Sequence, residues 1–181
     1  MVKFAFRGET LQASRDDPPL TTTALNTSFL FKIRISIVSQ SLDLLSPEEK
    51  VLVSYPISTS RFGTGFEEGS FKTPIGRFRI CEKIGDGAPP RAIFKSRVPT
   101  GAIISSEEES EEDLILSRIL WLEGVDPENT NTRGRYIYIH GTNQERLIGT
   151  PASHGCIRLR NLDMIDLHDS VGVGTPVIIS P

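Results

Sequence analysis

Apolar side chains alternate with polar ones from Phe29 to Ile37, and this period of two most restricts how the chain can fold. Successive side chains of a strand point to opposite faces, so the alternation is typical of a strand with one buried face. A turn around Ser46 separates two predicted strands, residues 29–45 and 51–57. Gly and Pro separate further segments of this kind, residues 77–82, 92–95, 114–122, 135–140 and 176–179. Many short strands predict a mainly β protein, built as a sandwich.

One segment has the pattern of a helix, from Asn161 to Val171. Asn161 is predicted to cap the helix N-terminus, since its side chain can accept a hydrogen bond from the first turn. His168 stands beside Asp169, which favours a position at the surface or at the end of the helix. We expect the apolar surface of the helix to consist of Leu162, Met164, Ile165 and Leu167.

The length of 181 residues fits one domain better than two. Residues 1–28 are rich in Pro and Thr without an apolar period, so we expect an N-terminal arm there and a single domain over residues 29–181. Six acidic residues between 107 and 113 account for more than the whole net charge of −3. This local acidity predicts a solvated loop, and the charge balance excludes a nucleic-acid binder that acts through bulk positive charge.

Charged residues interrupt the segments that could direct the chain to or across a membrane. Arg7 and Glu9 lie where a secretory signal needs apolar residues, and Lys32 and Arg34 divide the most apolar segment. We therefore expect no membrane insertion and a cytoplasmic location. A true start further upstream would change that expectation to the periplasm or the cell wall.

The two cysteines, Cys81 and Cys156, form no Cys-x-x-Cys pair, so neither a disulfide scaffold nor a zinc ribbon is indicated. Cys156 has chemically active neighbours, because it follows His154 and Gly155 and comes shortly after His140. A thiol with its ordinary pKa is mostly protonated at pH 7, so a cysteine nucleophile needs an imidazole that accepts its proton. Spacing leaves both histidines open as that base. Cys81 has no such neighbours, which favours a structural role.

Gly155 removes a side chain where a substrate carbonyl would approach Cys156. The backbone N–H groups of residues 154–156 could then form an oxyanion hole, which suits acyl transfer. A zinc site made by His140, His154 and Cys156 is the alternative, although no fourth ligand is evident in the sequence. We expect no metal and no cofactor.

Three blocks of the sequence together resemble the YkuD-type L,D-transpeptidases. His140-Gly141-Thr142 is followed by Ser153-His154-Gly155-Cys156-Ile157-Arg158, which is similar to the family signature. Residues 72–78 resemble its Thr-Pro-x-Gly-x-Phe block, and residues 174–177 match its last block. The likeness extends from about residue 30 to 180. It implies a β-sandwich of mixed sheets with one or two short helices.

The resemblance also implies a role for each motif residue. Cys156 would attack the carbonyl of the third residue of a peptidoglycan stem peptide, releasing the terminal D-alanine and leaving a thioacyl-enzyme. His140 would be the general base, oriented by the backbone carbonyl of Gly141. His154 and Gly155 would shape the site and its oxyanion hole.

Stem peptides are acidic, so arginines are the expected partners of their carboxylates. We expect Ser153, Arg158, Tyr138 and Arg135 to bind substrate, with Arg133 and Arg160 as further candidates. Residues 84–134 match the family weakly and are placed where it commonly carries a cleft-covering insertion. The acidic run, Glu107 to Asp113, should face away from an acidic substrate.

Three functions remain open from the sequence. The first is a cysteine acyl-transfer enzyme acting on stem peptides, named by the family. The second is a cytoplasmic L,D-carboxypeptidase that trims tetrapeptides of soluble, recycled muropeptides, with water as acceptor. The third is a non-catalytic muropeptide-binding domain, against which the retained His140, Gly155 and Cys156 argue. The sequence predicts no oligomeric state.

Overall fold

A computed structural model of the protein describes residues 31–105 and 112–181. The predicted arm of residues 1–28 and residues 107–111 of the acidic run lie outside the described residues. The strands are β1 (Lys32–Ser36), β2 (Ser41–Leu45), β3 (Val51–Pro56), β4 (Gly76–Ile84), β5 (Ala92–Lys95), β6 (Val98–Ile103), β7 (Ile115–Gly124), β8 (Tyr138–Thr142), β9 (Ile157–Leu159) and β10 (Pro176–Ser180). The helix α1 spans Asn161–Ser170, and two 3-10 helices span Pro127–Thr132 and Glu145–Leu147.

These strands form one hydrogen-bonded mixed sheet in the order β3-β2-β1-β10-β4-β7-β5-β6, with β8 on β7 and β9 on β8. β1 runs parallel to β10 and β9 runs parallel to β8, while the other pairs are antiparallel. The sheet branches at β7, which pairs with β4, β5 and β8. The mainly β fold with mixed strands and few helices is therefore confirmed, and its layers are parts of one curled sheet.

The strand β7 is buried on both faces and so separates two apolar clusters. Leu120 and Leu122 face the larger core, which also contains side chains from β1, β2, β4, β8, β9, β10 and α1. Ile119 and Trp121 face the opposite side, where Cys156 packs against the smaller cluster. Alternation along a single strand thus builds the core with one set of side chains and the back wall of a candidate site with the other.

The prediction of one strand over residues 29–45 is wrong. β1 ends at Ser36 and β2 begins at Ser41, and the two strands pair antiparallel with Ile33 opposite Leu44. Residues 37–40 form the turn between them, although they include no Gly, Pro, Asn or Asp. Gln40 takes the positive φ of 47° that the turn requires, and its side chain donates to the carbonyl oxygen of Ile37.

The predicted helix is present, but its buried face differs from the expected one. Asn161, Met164, Leu167 and His168 are buried, whereas Leu162 is 72% exposed. The surface position predicted for His168 is therefore wrong. Asn161 is the first helical residue and not the cap, since Arg160 holds the N-cap position.

The remaining strand predictions hold to within a few residues, while β6 and β9 were not expected. Residues 84–134 contain β5, β6 and β7, so part of this stretch belongs to the sheet, and a cover over the cleft stays a prediction for the rest. Among the residues in 31–105 and 112–181, no helix is long and apolar enough to cross a membrane.

Candidate active site

The pairing of β8 with β9 brings the motif residues onto one face of the sheet. Ile139 pairs with Ile157 and His140 with Arg158, and both isoleucines point into the larger core. Because side chains alternate, His140 points to the opposite face, where Cys156 also lies. Two blocks that are far apart in the sequence thereby meet.

The thiol of Cys156 lies against the backbone of the residues that lead into β8. Its Sγ accepts from the amide of Tyr138 at 3.4 Å and donates to the carbonyl oxygen of Tyr136 at 3.5 Å. Burial raises the pKa of the Cys156 thiol to about 12, and the carboxylate of Asp113 adds to the rise. The resting group is therefore a thiol, which needs a base to become a nucleophile.

His140 is buried and held in one orientation. Its Nδ1 lies 2.8 Å from the carbonyl oxygen of Gly141, which only accepts, so Nδ1 carries the proton and donates it. This leaves the lone pair of Nε2 available as a base. Burial lowers the pKa of His140, which keeps the imidazole neutral at pH 7.

His154 has the opposite tautomer and different neighbours. Its Nε2 lies 2.7 Å from a guanidinium nitrogen of Arg61, which can only donate, so the lone pair of Nε2 is already used. Its Nδ1 then carries the proton and faces Asp113 at 3.8 Å. The ring also contacts Phe62 and Phe71. Of the two histidines that the sequence left open, His140 is the one with a free basic nitrogen.

The loop that carries Cys156 is held by two hydroxyl groups. Ser153 Oγ donates to the carbonyl oxygen of Cys156 at 2.6 Å and accepts from the amide of Gly155. Thr73 Oγ1 donates to the carbonyl oxygen of Gly155 at 3.0 Å and accepts from the amide of Ser60. Ser153 is fully buried, which argues against the prediction that it binds substrate. Thr73, from the Thr-Pro block, thus supports the loop that carries Cys156.

Two glycines of the motifs stand where a side chain does not fit. Gly155 has a φ of +117°, a conformation that L side chains rarely adopt. A Cβ at Gly141 would lie 2.6 Å from the side-chain oxygen of Asn161 and 2.7 Å from the carbonyl oxygen of Leu116. Gly141 therefore allows β8 to pass close to its neighbours while its carbonyl orients His140.

Two of the three N–H groups expected in the oxyanion hole remain candidates for it in the structure. The amide of Gly155 donates to Ser153 and is not available, whereas the amides of His154 and Cys156 have no acceptor among the described residues. These two N–H groups remain candidates for stabilising negative charge on a substrate oxygen.

Arg158 cannot bind a substrate carboxylate, so that prediction is wrong. Its side chain is fully buried, and its two terminal nitrogens donate to Asp113, Gln144 and Ser58, while its Nε has no partner among the described residues. Asp113 lies 3.0 Å from Nη1 of Arg158. The expectation that the acidic run faces away from the site is therefore wrong for its last residue, Asp113.

Arg135 and Tyr138 take different positions beside Cys156. Arg135 lines an open cavity of about 260 Å³ together with Phe71, Tyr136 and His154, and two of its nitrogens donate to the carbonyl oxygens of Gly65 and Lys72. Tyr138 is buried in the wall behind Cys156, where its hydroxyl accepts from Arg97. Contact with substrate remains a prediction for both.

No cluster of three His, Cys, Asp or Glu side chains in residues 31–105 and 112–181 could hold a metal ion. The arrangement is instead that of a thiol on the same face of the sheet as a neutral, oriented imidazole, and nucleophilic chemistry at a carbonyl uses these two groups.

A curled mixed sheet that presents a cysteine, an oriented histidine and a loop held by Ser153 and Thr73 on one face is the arrangement expected of an L,D-transpeptidase-like fold. The model of the YkuD family, the L,D-transpeptidase catalytic domain, matches residues 31–179, and the chain belongs to this family.

Curated relatives carry the same family name. The putative L,D-transpeptidase YkuD of Bacillus subtilis is 29% identical over 150 residues, which are 83% of this chain and 66% of that protein. The putative L,D-transpeptidase YqjB of the same organism is 42% identical over 60 residues, 33% of this chain and 32% of that protein. The matched part thus spans less than two thirds of the length of these relatives.

Solved structures share the fold. An L,D-transpeptidase from Xylanimonas cellulosilytica superposes with a TM-score of 0.52 at 21% identity, over 86% of this chain and 62% of that one. L,D-transpeptidase 3 from Mycobacterium tuberculosis superposes with a TM-score of 0.54 at 17% identity, over 84% of this chain and 60% of that one.

Proposed function

We propose that the protein is a cysteine acyl-transfer enzyme that acts on peptidoglycan stem peptides through a thioacyl-enzyme on Cys156. The observation that carries the proposal is the pair of fixed tautomers. His140 has a free basic nitrogen on the face that holds Cys156, whereas the corresponding nitrogen of His154 is bound to Arg61.

The reaction divides into two steps. Nε2 of His140 takes the proton of the Cys156 thiol as Sγ attacks the carbonyl between the third and fourth residues of the stem. The C–N bond breaks, the proton passes from His140 to the leaving amine, and D-alanine departs. Before the C–N bond breaks, the amides of His154 and Cys156 stabilise the negative charge on the oxygen of the attacked carbonyl. Attack on the thioester by an acceptor then frees Cys156.

The acceptor separates two activities. An amine of a second stem peptide gives a cross-link, as in a transpeptidase, while water gives a tripeptide, as in an L,D-carboxypeptidase. The open cavity that Tyr136 and His154 line supports binding of a peptide but does not select between these acceptors.

Mass spectrometry of the protein after incubation with a disaccharide-tetrapeptide tests the proposal. We expect release of D-alanine and a mass increase on Cys156 that Cys156→Ala abolishes, with D-alanine release falling at least about a thousandfold because the nucleophile is lost. Cys81→Ala is the matched control, and it should keep the activity. Tripeptide as the main product would assign a carboxypeptidase, and cross-linked dimer a transpeptidase. Binding without release of D-alanine would overturn the proposal in favour of a non-catalytic domain.

Faropenem offers a second probe of the same step. The solved L,D-transpeptidase 3 from Mycobacterium tuberculosis contains a faropenem-derived adduct. We expect faropenem to add mass to Cys156 and not to Cys81. An adduct on Cys81 alone would contradict the assignment of Cys156 as the nucleophile.

A further inference from the structure

A carboxylate outside the family motifs, Asp113, contacts two of the motif residues. Its Oδ1 accepts from Nη1 of Arg158 at 3.0 Å, and its Oδ2 lies 3.8 Å from Nδ1 of His154. We propose that Asp113 is a positioning residue that holds Arg158 and His154 in place and offsets the charge of Arg158 beside His140. The proposal rests on the proposed function, which assigns the nucleophile and the base.

The first support is the burial of Arg158. A guanidinium keeps its charge at every pH at which the protein is folded, and a buried charge without a partner is costly. Arg158 is fully buried, and Ser58 and Gln144 offer it only neutral oxygens. Among the residues in the described ranges, Asp113 is the carboxylate that pairs with it.

The second support is the position of this ion pair relative to the base. Arg158 is the residue of β9 that stands opposite His140 of β8. A positive charge at that position disfavours a protonated imidazole, so it opposes the step in which His140 takes the thiol proton. The negative charge of Asp113 has the opposite effect, because it favours the protonated imidazole of His140.

The third support is the way the chain fixes Asp113. The amide of Leu114 donates to the side-chain oxygen of Asn143, and the side-chain nitrogen of Asn143 donates to the carbonyl oxygen of Glu112. Asn143 follows directly after β8. The strand that carries His140 therefore also holds both neighbours of Asp113.

The charged groups around the site come from several elements. Asp113 lies before β7, Arg158 lies on β9, and Arg135 lies in the turn before β8, while His154 and Arg61 lie at the exposed rim. Burial is the main cause that lowers the pKa of His140; Asp113 raises that pKa and Arg158 lowers it. Removal of the charge of Asp113 should therefore lower the titration midpoint of His140, and removal of the charge of Arg158 should raise it.

Titration of the histidine ring signals by NMR tests this directly and needs no substrate. We expect Asp113→Asn to lower the titration midpoint of His140, and Arg158→Gln to raise it, each by about 1 pH unit. The double variant should lie near the wild type, and Asp113→Glu should restore it. The rate of Cys156 alkylation against pH should follow the same shifts.

A matched control is Asp43→Asn. Asp43 pairs with Arg34 at 2.7 Å, and its side chain is 17% exposed, against 22% for Asp113. It lies on β2, so the midpoint of His140 should not move. A purely structural role for Asp113 would move the midpoint in the same direction in Asp113→Asn and Arg158→Gln, which would overturn the proposal.

Folding is checked by near-UV circular dichroism. If Asp113→Asn does not fold, Arg158→Gln tests the proposal alone. The proposal is then overturned if the titration midpoint of His140 does not rise in Arg158→Gln. A failure to find acyl transfer would leave these shifts intact, so the two proposals fail separately.

Discussion

At the scale of single residues, Cys156 and His140 lie on one face of the sheet and both are neutral at rest. Burial raises the pKa of the thiol to about 12 and lowers the pKa of the imidazole, so the proton rests on sulfur. Many reactive cysteines are instead thiolates stabilised by nearby positive charge. In the proposed reaction the proton has to move during the attack itself, so the proposal makes the reactivity of Cys156 depend on His140.

This dependence predicts the outcome of His140→Gln. Alkylation of Cys156 by iodoacetamide at pH 8 should slow by about a hundredfold, the usual contribution of a general base. Peptide mass spectrometry measures the rate, and Cys81 in the same sample is an internal control whose rate should not change. Equal rates at Cys156 in the variant and the wild type would show that another group takes the proton.

At the scale of elements, the loop of residues 153–156 depends on the side chain of Thr73, which belongs to the Thr-Pro block and lies far from this loop in the sequence. Thr73→Val keeps the shape of the side chain and removes the hydroxyl that joins the carbonyl of Gly155 to the amide of Ser60. Both buried backbone groups lose a partner, so we expect the free energy of unfolding to fall by about 1–3 kcal/mol. We also expect the rate of D-alanine release to fall, because the loop carries Cys156.

Urea unfolding measures the effect of Thr73→Val. Thr130→Val is the matched control, because the hydroxyl of Thr130 is exposed and makes only a 3.4 Å contact with Pro127; its effect should stay within about 0.5 kcal/mol. Similar stabilities of the two variants would mean that the hydroxyl of Thr73 does not support the loop.

The elements also show what the sequence could and could not reveal. The strands with strong alternation and clear Gly or Pro boundaries were predictable, because the buried face is set by the side chains themselves. The hairpin between β1 and β2 was not, because Gln40 supplies the positive φ without a residue type that signals a turn. In α1, His168 follows Asn161 and Met164 on one helical face, and this spacing outweighs its acidic neighbour.

The same distinction applies to the candidate site. The motifs predict the contact between His140 and the carbonyl of Gly141, which the structure shows, while the catalytic roles of Cys156 and His140 stay predictions. The sequence predicts a solvated Asp113 because this residue ends a run of like charges, whereas in the structure Asp113 lies 3.0 Å from Nη1 of Arg158. The burial of Arg158 likewise follows from its place on β9 and not from its residue type.

At the scale of the whole molecule, two buried histidines predict how stability depends on pH. Burial is the largest cause that lowers the pKa of both His140 and His168 below the value of 6.5 for an unperturbed histidine. In the unfolded chain both rings regain that value, so below it the unfolded state binds more protons than the folded state. The stability that comes from keeping them neutral is therefore fully present above pH 6.5 and is lost as the pH falls from there towards the folded values.

Urea unfolding at pH 7.5, 6.5 and 5.5 measures this loss. We expect the free energy of unfolding to change little between pH 7.5 and 6.5 and to fall between pH 6.5 and 5.5, with a slope of up to about 2.7 kcal/mol per pH unit for two protons. The acidic groups with lowered pKa values are carboxylates whose ordinary pKa values are near 4, so they change the slope only at lower pH.

His168→Gln should reduce this slope, because it removes one of the two buried imidazoles. Thr130→Val is the control, because the hydroxyl of Thr130 is exposed and does not titrate, and it should keep the full slope. A stability that stays constant between pH 7.5 and 5.5 would mean that the buried rings accept protons without unfolding the chain.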